Sequence, residues 1–215
     1  NGTRDDEFDL QPRSELARRG GGSRDDGNET KTLDDFVAHP LAVAAKLTRA
    51  HVLAMRLQSC PAFYSRLSRP FYEGCSRDAP HPYPALVAIL IHAWQRLRHA
   101  VEEKPNLFAK FGALGVSETD SSKPVLWRVF NSGEDVNEYK QRGCLEMGFL
   151  SCFKHKATAE RHAFALSRTE SHRLEKPTLL RVRTEHVVDL SIFSVSAAEG
   201  ECLLPPCTYL DLRSE

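Results

Sequence analysis

The hydrophobic positions of this chain change period near its middle. From Phe36 to about Leu67 apolar residues recur at helical spacing: Leu41, Ala44, Ala45 and Leu47, then, after a break, Val52, Leu53, Met55 and Leu57. Asp34 or Asp35 is placed to cap the first of these helices. "CPAFYSRLSRPFYEG" follows, and the proline-rich "CSRDAPHPYP" marks a turn. "YPALVAILIHAWQRLRHAVEEK" predicts a long helix with Pro84 in its first turn and Pro105 beyond its end. Its front is apolar nearly all round, which predicts burial there.

From Val125 onward the pattern becomes that of strands. "PVLWRVF" predicts a strand, "GEDVNEYKQRG" a short connecting helix or loop, and "CLEMGFLSCF" a strand broken at Gly148. "KATAERHAFALS" is helical. "TLLRVRTE" sets Leu180 and Val182 against Arg181 and Arg183, and "VVDLSIFSV" and "CLLPPCTYLDL" predict two further strands. Helices first and strands afterwards predict an α+β fold, a helical N-terminal part packed on a mostly antiparallel core, rather than an alternating parallel sheet. Residues 1–32, with "RRGGGSRDDGNETK", have no apolar periodicity and predict a disordered leader or linker; residues 33–215 are expected to form one domain.

Composition narrows the function classes. Formal net charge is zero, so no broad basic field is offered to a nucleic acid. The longest apolar run, "ALVAILIHAW", falls far short of the roughly 18 residues of a membrane span. The sequons Asn1-Gly2-Thr3 and Asn28-Glu29-Thr30 suit a secreted or cell-surface protein, while six cysteines, a low density for this length, leave a cytoplasmic one open. The histidines lack metal-ligand spacing, no second cysteine pair stands at zinc-site distance, and no metal is expected. Trp94 and Phe130 fit a core better than a ligand stack.

Three strand ends carry candidate chemistry. Arg128 closes a bulky apolar run, Ser151 sits in "GFLSCF", and Glu199 and Glu201 stand two apart in "AAEGECLLPP". In an extended chain residues two apart face one side, and two carboxylates so placed raise at least one pKa.

Arginine, then serine about twenty residues on, then Glu-x-Glu resembles the arginine-serine-glutamate signature of the mono-ADP-ribosyltransferases. "GFLSCF" looks like that family's Gly-Phe-hydrophobic-Ser strand, "ATAERHAFA" is similar to the helix after it, and "SVSAAEGECLLPP" resembles its Ser-led loop, Glu-x-Glu and Leu-Leu-Pro-Pro strand. "PAFYSRLSRPFYEG" loosely resembles a helix of its front half. The resemblance, over roughly residues 36–213, implies a β-sandwich-like core with an NAD-binding cleft, and NAD⁺ as co-substrate. It implies that Arg128 holds NAD⁺ and that the Val129 backbone meets the nicotinamide amide. Ser151 would orient Glu201, which binds the ribose 2′-hydroxyl and stabilises the cationic sugar. Glu199 would accept the proton of the acceptor, expected to be an exposed arginine of another protein. Val129 stands where the family usually has Gly, and the loop from Val195 to Ala198 lacks the aromatic of many members. The alternatives are an NAD⁺ glycohydrolase, with water as acceptor, and a binding or surface module of the same fold that has lost catalysis.

Overall fold

The computed structural model describes residues 31–76, 78–112, 123–130, 143–167 and 178–211. Residues 1–30 and most of the segment from Gly133 to Gly143 lie outside them, so the expected leader and connector are not described.

The helical half begins with α1 (Leu33–Val37) and α2 (Pro40–Ala44). It continues with α3 (Arg49–Gln58), α4 (Pro61–Glu73), α5 (Pro84–Glu103) and α6 (Pro105–Lys110). Thr32, not Asp34 or Asp35, is the N-cap of α1: its hydroxyl accepts from the Asp35 N–H while the Asp35 carboxylate accepts from the Thr32 N–H. Asp35 thus caps from inside the first turn. Thr48 and His51 form a reciprocal pair of the same kind at the start of α3. The expected break between the first helices falls at Lys46, which adopts a left-handed conformation. In α5 burial follows a stripe, Leu90, Ala93, Leu97, Ala100 and Val101, rather than the apolar front, where Leu86, Val87 and Ile89 are only partly covered.

The strands are β1 (Val125–Phe130), β2 (Cys144–Glu146), β3 (Leu150–Phe153), β4 (Thr178–Arg183), β5 (Val188–Asp189), β6 (Glu201–Leu204) and β7 (Thr208–Leu210). Helix α7 (Lys156–Ser167) follows β3 and packs against β1, β3 and β4. Five strands form one sheet in the order β4-β1-β3-β6-β5, and β2 pairs with β7 in a separate ribbon; every pairing is antiparallel. The fold is therefore α+β, as the period change predicts. Gly148 breaks "CLEMGFLSCF" so that its halves enter different sheets, and Pro205–Pro206 divides "CLLPPCTYLDL" likewise, since proline cannot donate to a ladder.

"VVDLSIFSV" departs from its expected strand after Asp189. The Asp189 carboxylate accepts from the Ser191 N–H and hydroxyl, and the N–H groups of Phe193 and Ser194 both donate to the Leu190 carbonyl. These local bonds outcompete a ladder and turn the chain.

The sheet has two environments. Leu203, Val188, Leu190 and Phe193 join the helical core built on Phe36, Met55, Leu67, Leu90 and Leu97. Leu126, Leu150, Cys152, Val182, Cys202 and Leu204 form a second cluster, against which Leu210 of the ribbon packs. The second cluster is the sandwich-like part of the core.

Candidate active site

Alternation of side chains along paired strands assigns each candidate to a face. Register pairs Trp127 with Phe153 and Phe153 with Glu201, so these three form a row across β1, β3 and β6. Ser151, two residues from Phe153, shares their face. Arg128 falls on the other, with Leu126 and Cys152.

Glu201 is the centre of the arrangement. It is only 7% exposed, yet both carboxylate oxygens are engaged: the Ser151 hydroxyl donates to Oε1 at 2.5 Å and the Ser194 hydroxyl donates to Oε2 at 3.2 Å. Ser194 is itself held in place by the N–H of Ser196, which donates to its hydroxyl at 3.1 Å. Burial raises the Glu201 pKa above the usual carboxylate value; the two serine bonds oppose that, Glu199 adds to it and Arg128 works weakly against it. The charged form is thus disfavoured by desolvation but pre-oriented by two donors.

Arg128 reaches Ser151 through the main chain. One guanidinium Nη1 donates to the Ser151 carbonyl at 2.9 Å. Strand β1 keeps six residue pairs with β4 but only Trp127↔Phe153 with β3. Beyond that pair, where Val129 would oppose Ser151, the guanidinium takes the carbonyl that a neighbouring strand would otherwise use. Burial alone works against its charge, but Tyr64, Cys152 and Glu146 around it outweigh that and raise its pKa above the ordinary arginine value. Its Nε is buried and has no hydrogen-bond partner among the described residues. Nearby Glu146, 5% exposed, accepts a bond from the Tyr72 hydroxyl. Arg128 and Glu201 are thus joined through one residue, Ser151, from opposite faces of the sheet.

Glu199 stands apart from the expectation of an extended Glu-x-Glu. It ends a 3₁₀ turn, Ala197–Glu199, and Gly200 follows at φ 64°, ψ 46°. Its carboxylate is part-exposed and its Oε1 lies 3.2 Å from Nε2 of His162 on α7. The chain turns because Gly200 enters the left-handed region, open to glycine at little cost. Glu199 and Glu201 therefore differ in environment, one part-exposed and beside a histidine, the other buried and held by serines.

Sequence patterning alone did not single out His162 or Glu146. His162 lies at an ordinary helical position and Glu146 in a strand of three residues; neither has a motif, and only the tertiary contacts bring them to the site. Val129 lies on β1, opposite Leu179 of β4. Trp94 is packed against the core and donates its indole N–H to the Leu203 carbonyl at 2.8 Å. Burial pushes the Cys152 thiol up to about 12, so it stays protonated and inert at neutral pH. Among the described residues no group of three or more His, Cys, Asp or Glu could hold a metal ion, and no helix is long and apolar enough to cross a membrane.

No family model matches the sequence, and no curated protein matches it. Among solved structures, the chain is similar to that of the ADP-ribosyltransferase HopU1 of Pseudomonas syringae pv. Tomato DC3000. The TM-score is 0.56 at 12% identity, over 87% of this chain and 77% of that one. At that identity the likeness is one of fold: the α+β architecture here is that of an ADP-ribosyltransferase structure.

Proposed function

We propose that the protein transfers ADP-ribose from NAD⁺ to an acceptor, with a protein arginine as the acceptor, and releases nicotinamide. The observation that carries this is the buried Glu201 carboxylate, gripped by Ser151 and Ser194, on a fold similar to that of an ADP-ribosyltransferase.

A sugar losing nicotinamide becomes cation-like at C1′. A pre-oriented carboxylate in a water-poor place stabilises such charge with no reorganisation when it forms. Glu201 takes that role and binds the ribose 2′-hydroxyl. Nicotinamide leaves with the electron pair of the glycosidic bond and becomes a neutral pyridine. A guanidinium nitrogen of the acceptor loses its proton to Glu199 and forms the new bond to C1′. Arg128 serves the anionic pyrophosphate, to which a guanidinium can donate two N–H groups at once. Val129 offers its backbone to the nicotinamide amide where β1 and β3 part.

The test is incubation with NAD⁺ with and without agmatine, a small guanidino acceptor, following nicotinamide release and agmatine modification separately. Nicotinamide release with modified agmatine is the expected result. Free ADP-ribose with no modified agmatine points to the glycohydrolase, and no NAD⁺ consumption at all points to a module without catalysis. Glu199→Gln is expected to cut transfer to agmatine far more than hydrolysis, because water attacking a cation-like carbon needs less help from a base.

A further inference from the structure

We propose that His162 positions the Glu199 carboxylate for the acceptor and so sets how strongly an acceptor competes with water; this rests on the proposed role of Glu199. Glu199 hangs from a single 3₁₀ turn followed by a left-handed Gly200. Left alone, a part-exposed glutamate on such a turn samples many rotamers, and few of them lie over the sugar. His162 supplies the constraint. Its Nε2 faces Oε1 of Glu199 at 3.2 Å, and the nitrogen beside a carboxylate is the one that carries the proton.

The imidazole is itself fixed. It stacks on Phe153 with ring centroids 4.6 Å apart and an interplanar angle of 18°. Phe153 lies between Trp127 and Glu201 in the row across the sheet. The stack therefore references Glu199 to the strand pair that carries Ser151 and Glu201. The bond to His162 uses Oε1, and Oε2 is the oxygen assigned to the acceptor's proton. A part-exposed side-chain contact of this kind adds little to folding stability, so substitution of His162 is expected to leave a folded protein.

The experiment measures transfer to agmatine and NAD⁺ hydrolysis in the same reaction. His162→Ala is expected to lower kcat for transfer relative to hydrolysis about tenfold, with KM for NAD⁺ unmoved. His162→Gln, which still offers an N–H donor, restores most of it. In a Glu199→Gln background His162→Ala has no further effect on the ratio, because the two act through one contact. An unchanged ratio in His162→Ala overturns the proposal, as does an equal loss of both activities. If the unsubstituted protein hydrolyses NAD⁺ but modifies no agmatine, the acceptor role of His162 falls while NAD⁺ use stands. If it consumes no NAD⁺, both fall.

Discussion

At the scale of single residues, Glu201 sets function against stability. Its pKa is raised by burial, so the folded-state value lies above the unfolded one of about 4.3. A group of that kind contributes fully to stability only below the unfolded pKa, and the contribution is lost as pH rises through the folded value. Above that folded value the ionised side chain works against folding. Glu201→Gln is therefore expected to leave the melting temperature unchanged or higher while lowering NAD⁺ consumption by roughly 10²-fold or more. Thermal unfolding and nicotinamide release on the same preparation check this, and a melting temperature several degrees lower would contradict it. Activity is expected to fail on acidification at a pH above the ordinary glutamate range. Ser194→Ala moves that limb higher still, because the Ser194 bond favours the charged form.

At the scale of elements, two short segments control geometry. The 3₁₀ turn hands the chain from Glu199 to β6 through Gly200, whose added Cβ would sit 3.4 Å from Cβ of Lys154 as well as in a left-handed backbone. Gly200→Ala is expected to cost about 1–2 kcal/mol and to lower transfer, since relieving the strain swings Glu199 relative to Glu201. Denaturant unfolding and the agmatine assay measure the two effects.

The second segment is the start of α3. The His51 Nδ1 accepts from the Thr48 N–H at 3.0 Å, and its Nε2 lies 3.1 Å from Nδ1 of His92 on α5. Burial, then His92 and Arg96, lower the His51 pKa. Its stabilising contribution is thus present above the unfolded value of about 6.5 and is lost as pH falls toward the folded value. His51→Gln keeps a capping pattern at that position and removes the titration. The fall in melting temperature between about pH 7 and pH 5 should become shallower in that variant, over the range in which an ordinary histidine titrates.

At the scale of the whole molecule, the helical layer and the sheet are tied by polar bonds as well as by the shared core. Trp94 of α5 donates to the Leu203 carbonyl of β6, Arg56 of α3 donates to the Phe193 carbonyl at 3.1 Å, and the Val195 N–H donates to the Ser59 hydroxyl at 3.0 Å. All three land within ten residues of Glu201, on β6 or the loop leading to it. The helices thus brace the segment that carries the carboxylates. Trp94→Phe keeps most of the apolar contact and deletes the donor. It is expected to cost about 1 kcal/mol by removing one buried hydrogen bond, read by denaturant unfolding.

The order of elements was legible in the sequence because hydrophobic period is local: 3.6 for the front half and 2 for the strands, with Pro84, Gly148 and Pro205–Pro206 as breaks. Arg128, Ser151, Glu199 and Glu201 were named from motifs, and the structure brings Ser151 against Glu201 and Arg128 against the Ser151 carbonyl. The strand expected over "VVDLSIFSV" failed because Asp189 and its serines bond locally, which apolar patterning does not register. Tertiary structure alone decided that Arg128 meets Ser151 through a carbonyl from the opposite face, where β1 and β3 part. It also separated the two glutamates, giving Glu201 two serine donors and Glu199 a histidine. These depend on strands and a helix far apart in sequence arriving side by side, and no periodicity along one segment encodes which neighbour another segment will bring.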